Sequence, residues 1–318
     1  MICCSFAALS WTCVFAFPTS TSATTAAIYN LGTLAFSDSY GSAVNASGQV
    51  VGYSYAAGNA QHAFLYTGTP GSGGHMIDLG TLGGTTSTAN AINAGGQIAG
   101  SSTTTGNFPT HAFRYSGTPG SGGAMVDLGT LGGSTSAAGG INSIGQVVGS
   151  SDTASDDRHA FLYSGTPGSG GHMIDLGTLG GSQSGAGAIN ATGQITGSSR
   201  TAGDAATHAF RYTGVPGSGG AMVDLGTLGG SISGGGAINA SGQVAGSSYL
   251  AGDMVQHAFL CTGTPGKGGS MSDLGTLGGT ISYSFAINGS GQVAGLSFLS
   301  GNSAAHAFLY TGAPGADG

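Results

Sequence analysis

Apolar and polar residues alternate over short runs, and the runs recur. In His-Ala-Phe-Leu-Tyr, beginning at His62, a period of two puts His62, Phe64 and Tyr66 on one face of a strand and Ala63 with Leu65 on the other. The His-Ala-Phe triplet starts at His62, His111, His159, His208, His257 and His306, at spacings of 48 or 49 residues. A period of this length is the signature of solenoids and propellers.

Each period resolves into four strand candidates. The first ends in Ala-Ile-Asn, as at Ala237, Ile238 and Asn239, and the second is Gly-Gln-Val-x-Gly-Ser-Ser, as over 242–248. Between them stands Asn-x-x-Gly, as in Asn45 to Gly48, Asn190 to Gly193, Asn239 to Gly242 and Asn288 to Gly291. Asn opening a type I turn, followed by a Gly free to take positive φ, predicts a tight antiparallel hairpin with a bulge. The third strand is the His-Ala-Phe run. Because Arg114 and Arg211 replace Leu on its second face, that face is expected to be partly wet, with the His/Phe/Tyr face doing the packing. The fourth, Met-Val-Asp-Leu-Gly-Thr-Leu, follows a Gly/Pro/Ser loop such as 117–123 and is expected to end at a Gly pair such as Gly132 and Gly133.

One repeat carries only about seven substantial apolar side chains, too few to offset the conformational entropy of ordering it alone. A neighbour must cover each sheet face. The antiparallel hairpins favour a closed propeller over a parallel solenoid. The array opens on a fourth-strand sequence, IYNLGTL at 28–34, and closes on a third strand at His306. Joining these ends would remove exposed sheet edges. The expected fold is therefore all-β: a six-bladed β-propeller of four-stranded antiparallel blades, ring closed by the N-terminal strand 28–34.

The leading residues differ. Positions 2–17 form an apolar run followed by small polar residues, too short for a membrane span and suited to a signal-peptide core. Residues 1–26 are thus expected to be a signal-peptide-like leader and 27–318 a single domain, extracellular after export, with no membrane span in the mature chain. Cys3, Cys4 and Cys13 lie in the leader, which leaves Cys261 without a disulfide partner. It occupies the position of Tyr66, Tyr115, Tyr163, Tyr212 and Tyr310, and reads as a buried packing residue.

Within the repeats, HAFLY with GGHMIDLG (from His62 and His159) alternates with HAFRY and GGAMVDLG (from His111 and His208), as duplication of a two-repeat unit would produce. His75 and His172 follow this alternation and are expected in solvated loops.

Composition narrows function. The five basic residues, Arg114, Arg158, Arg200, Arg211 and Lys267, are too few to track a phosphate backbone, so nucleic acid is not an expected partner. All twelve acids are Asp; Asp78, Asp127, Asp175, Asp224 and Asp273 share one repeat position and read as structural.

HAFLY, DLGTLGG, AIN and GQVVGSS, recurring at about 49 residues over 28–318, resemble the bacterial HAF family of extracellular repeat proteins. The resemblance implies a secreted or surface-exposed protein with a propeller-like fold and no established activity. The chain departs from the family in carrying Tyr or Cys261 where Trp is common, and in its long GTPGSGG loop.

No residue set reads as catalytic, cofactor-binding or metal-binding. The repeated histidines read as structural, each holding a loop through a ring N–H. His75 and His172 alone cannot complete a zinc site. Asp152, Asp156 and Asp157 form the one acidic cluster, a calcium candidate whose spacing matches no EF-hand loop. Glycoside hydrolysis needs two convergent carboxylates, and the non-repeated Asp38, Asp204, Asp253 and Asp317 are scattered. The glycosylation sequons at Asn45, Asn190, Asn239 and Asn288 are accounted for by their turns. The expected function is a non-enzymatic binding or structural surface module, with an extracellular polysaccharide or protein held at a rim. A carbohydrate-active hydrolase or lyase, or a segment of a larger adhesin, are the alternatives.

Overall fold

A computed structural model describes residues 27–35, 37–119, 121–263 and 269–312. The leader 1–26, with Cys3, Cys4 and Cys13, lies outside the described residues, as do Lys267 and Asp317. The described chain is all-β, without an α-helix, and no helix is long and apolar enough to cross a membrane.

The strands form successive antiparallel sheets in chain order. The first sheet holds β1 (Ser39–Val44), β2 (Val50–Tyr55), β3 (Gln61–Thr69) and β4 (Ser72–Asp78). The second holds β5 (Gly83–Ile92), β6 (Ile98–Thr104), β7 (Thr110–Thr118) and β8 (Ser121–Asp127). The third holds β9 (Gly132–Ile141), β10 (Val147–Thr153), β11 (Arg158–Thr166) and β12 (Ser169–Asp175). The fourth holds β13 (Gly180–Ile189), β14 (Ile195–Thr201), β15 (Thr207–Val215) and β16 (Ser218–Gly226). The fifth holds β17 (Gly229–Ile238), β18 (Val244–Leu250), β19 (Gln256–Thr262) and β20 (Ser270–Asp273). The sixth has three described strands, β21 (Gly278–Ile287), β22 (Val293–Leu299) and β23 (Ala305–Tyr310).

The Asn-x-x-Gly segment makes the hairpin its residues predict. Gly242 N–H donates to the Asn239 carbonyl at 3.0 Å, Gly242 takes φ +80°, and a bulge precedes the turn between Gly235 and Ala237 of β17. The Gly pair, by contrast, opens the next sheet: β8 ends at Asp127, and Gly132 is the first residue of β9. Residues 128–131 are the crossing between sheets. The Asp127 carboxylate caps the crossing, accepting from Gly129 N–H at 2.7 Å.

Both faces of the third strand pack. Ala63 and Leu65 of β3 bury against Phe113 and Tyr115 of β7, with Leu79 from the crossing and Met125 from β8 filling the same layer. The pattern repeats from Ala160 and Leu162 to Phe210 and Tyr212, and from Leu260 of β19, with Ala245 of β18, to Phe308 and Tyr310. The expected wet face is therefore corrected: Arg114 and Arg211 are 6% and 5% exposed. Each reaches the hairpin turn of the following sheet, Arg114 Nη1 donating to the Gly145 carbonyl at 2.6 Å and Arg211 Nη1 to that of Gly242. A long side chain with a terminal donor fits there because a turn carbonyl is in reach to accept.

Buried serines fasten the layers. Ser87 Oγ accepts from Ala63 N–H of the preceding sheet at 2.8 Å and donates to the Gly80 carbonyl of the crossing at 2.6 Å. Ser136, Ser184, Ser233 and Ser282 repeat the bridge. A single parallel residue pair, Arg158 with Gln183, Thr207 with Ile232 and Gln256 with Ile281, makes the last four sheets continuous.

First strands of successive sheets touch along the whole series, whereas fourth strands approach far less, so the sheets fan outward from the first-strand side. Residues 28–34 differ from expectation. They contain no strand and lie on the first sheet, where Leu34 N–H donates to Ser54 Oγ at 3.0 Å and Ser39 Oγ donates to the Gly32 carbonyl at 2.7 Å. These are the bonds of a crossing segment, since Leu82 and Ser102 make the same contact in the next repeat. Among the described residues nothing pairs with the outer edge of β23, and the first and sixth sheets share no extended contact.

Candidate functional site

The repeated polar residues engage one another. His62 Nδ1 meets Asp78 at 2.8 Å, and the same pair recurs as His111–Asp127, His159–Asp175, His208–Asp224 and His257–Asp273. A carboxylate only accepts, so Nδ1 carries the proton and donates. The Asp then accepts from the Gly two residues on, as Gly80 N–H donates to Asp78 Oδ1 at 2.8 Å. The histidines do hold a loop, but through the shared Asp; sequence spacing alone does not reveal this pairing across sixteen residues.

The asparagines of the hairpin turns are equally engaged. Asn190 Nδ2 donates to Gln194 Oε1 at 2.8 Å and to the Asn239 carbonyl at 2.9 Å, and its Oδ1 accepts from Gln194 N–H at 2.9 Å. Asn190 and Asn239 are buried, so a glycan on either would displace this network; Asn288, the last of the series, is exposed.

Asp204 and Asp253 are not scattered. They share a left-handed turn position with Asn59, Asn107, Asp156 and Asn302, φ between +55° and +66°. Asn and Asp are the non-glycine residues that best tolerate this region. Asp204 accepts from Ser182 N–H and from Ser182 Oγ, both at 2.7 Å, and these bonds hold its carboxyl below the usual range. Asp253 does the same with Ser231. A Gly before the Asn or Asp in five of the six copies was the available sequence signal.

The acidic cluster separates. Asp152 sits on β10 and accepts from Thr135 N–H at 3.2 Å and from Thr135 Oγ1, while Asp156 occupies the left-handed turn and Asp157 accepts from Ser155 Oγ at 3.3 Å. Among the described residues no three His, Cys, Asp or Glu converge as metal ligands would. His75 and His172 lie within β4 and β12 rather than in loops, and both are exposed. Cys261 packs with Phe259 in the layer that Tyr fills elsewhere, and burial pushes its thiol pKa up.

One cleft is different. Between the third and fourth sheets a cavity of about 310 Å³ is lined by Ser150, Arg158, Gln183, Ser198, Arg200 and Thr207, among others. At the position of Arg158 the other repeats carry Gln61, Thr110, Thr207, Gln256 and Ala305; at that of Arg200 they carry Tyr55, Thr103, Asp152, Tyr249 and Phe298. Arg158 Nη2 donates to Thr135 Oγ1 at 3.2 Å, and its Nε stands 3.4 Å from Asp152. Arg200 Nη1 stands 3.4 Å from Asp204. No family model matches the chain, and comparison with curated proteins finds no match.

Proposed function

We propose that the chain is a secreted, non-enzymatic repeat protein of the HAF kind, acting as a binding or structural surface module. The observation that carries this reading is that the repeated His, Asp, Asn and Ser side chains hydrogen-bond within the fold, which leaves the residues that differ between repeats to meet a ligand. The apolar run at 2–17 supports export and an extracellular location. An extracellular polysaccharide or a protein is the partner class such a rim would take. A panel of polysaccharides incubated with the protein tests it: binding without turnover is expected, and release of product would overturn the reading in favour of a hydrolase or lyase.

The finer architecture we infer is a six-bladed ring in which the segment around 28–34 serves the blade of His306. Three features support it. The sheets fan from their first strands, the outer edge of β23 is free among the described residues, and Ile28 is fully exposed where its repeat equivalents Met125, Met173, Met222 and Met271 pack into the core. Small-angle scattering distinguishes the outcomes. A disc-shaped particle is expected, and a rod would rule out closure.

A further inference from the structure

The chain holds five basic residues, and four of them are placed by the structure. Arg114 and Arg211 are buried and bonded to turn carbonyls. The other two, Arg158 and Arg200, come from different sheets and line the same cleft. Both line it where the third sheet is stitched to the fourth by the Arg158–Gln183 pair, so the backbone holding each is fixed by sheet hydrogen bonds rather than by loops.

Their acidic neighbours leave donors free. Asp152 and Asp204 already accept from Thr135 and Ser182, and each stands 3.4 Å from its arginine, beyond a strong charged hydrogen bond. Along the same cleft, the side chains of Ser150, Gln183, Ser198 and Thr207 make no hydrogen bond among the described residues. A cleft of this size falls at the lower end of small-ligand sites. Its hydroxyl and amide groups match sugar hydroxyls, and guanidinium matches a carboxylate. No aromatic side chain lines it to stack a neutral sugar ring.

We propose that this cleft binds a carboxylate-bearing saccharide, with Arg158 and Arg200 holding the carboxylate and Gln183, Ser198 and Thr207 the ring hydroxyls. The assignment rests on the chain being a binding module. A formal net charge of −7 gives no long-range attraction for an anion, so recognition rests on short contacts within the cleft.

Isothermal titration of the full chain with digalacturonate, with its dimethyl ester and with sodium sulfate tests this. Digalacturonate is expected to bind without turnover, the ester at least about tenfold more weakly, and Arg158→Gln and Arg200→Gln each to lose about tenfold. Arg158→Lys and Arg200→Lys, which keep the charge and lose the fork, are expected to fall between wild type and the Gln variants, with all thermal midpoints unchanged. Equal binding of acid and ester, binding unaffected by either Gln substitution, or absence of binding overturns the site. Displacement of digalacturonate by sulfate at equal concentration overturns the saccharide class in favour of a simple oxyanion. None of these results touches the binding-module reading, which falls only if the polysaccharide panel releases product.

Discussion

The side-chain amide of Asn93 donates to the main-chain carbonyl of Asn142 at 3.0 Å, one repeat further on. Asn45, Asn142, Asn190 and Asn239 each do the same to the next copy, so a line of asparagines ties all the hairpin turns in one direction. Asn142 is 3% exposed, and its removal would leave the Ile144 and Gln146 amides and Gln146 Oε1 without the partner it supplies, while the Asn190 carbonyl keeps only the Gly193 N–H of its own turn. Asn142→Ala is expected to destabilise by about 1–3 kcal/mol, the range for orphaned buried polar groups. Asn288→Ala, at the exposed end of the line, is expected to change stability by less than half as much. Urea denaturation of both variants checks the contrast.

Arg114 offers a different test because its neighbours in the series show an alternative. Its guanidinium is buried, burial holds its pKa below the ordinary arginine value, and its Nε has no partner. Leu65, Leu162 and Leu260 fill the same position without a charge. Replacing a buried charged group by a well-packed apolar one is often neutral or stabilising. Arg114→Leu is expected within about 1 kcal/mol of wild type or above it, whereas Arg114→Ala, which leaves a void, is expected to cost about 2–4 kcal/mol. Thermal and chemical denaturation of the two variants measure this.

Much of the fold was legible because period and punctuation are local properties. The Asn-x-x-Gly turns, the four strands per repeat and the burial of Phe64 and its equivalents follow from neighbours within a few residues. The wetness inferred for the face of Arg114 failed because burial of a cation depends on a carbonyl 31 residues away, at Gly145. The His62–Asp78 pair was hidden for the same reason: it depends on the register of β3 against β4. The turn position shared by Asp204 and Asn302 was legible in principle. It was obscured by the exchange of Asp for Asn and by loops of unequal length. For the cleft, sequence could show that Arg158 and Arg200 are unrepeated, but only the parallel pair between β11 and β13 brings them to one cavity.

Cys261 provides a probe of the layer between the fourth and fifth sheets. Its thiol is 4% exposed, packs beside Phe259, and has a raised pKa because burial disfavours the thiolate. The thiolate is the reactive form. In a variant with Cys3, Cys4 and Cys13 changed to Ser, Cys261 is expected to react with a disulfide reagent at pH 8 at least about a hundredfold more slowly than in denaturant, the protection following the opening free energy of its layer. Stopped-flow labelling measures both rates, and rapid reaction of the native protein would contradict the packed layer.

The left-handed turns predict how the protein responds to acid. Hydrogen bonds from Ser182 hold Asp204, and those from Ser231 hold Asp253, below the ordinary carboxylate value of 3.8. Around that pH the unfolded chain therefore binds more protons than the folded one, so stability rises with pH. The contribution is complete above the ordinary value and is lost as pH falls through the lower folded values. Asn302 shows that an amide can serve the same turn, since its Oδ1 accepts from Thr280 N–H at 2.9 Å. Asp204→Asn combined with Asp253→Asn should keep the fold at neutral pH and flatten the dependence of the urea midpoint on pH between about 5 and 2.5. If the double variant loses stability in acid as steeply as wild type, these two carboxylates are not among the groups that set acid sensitivity.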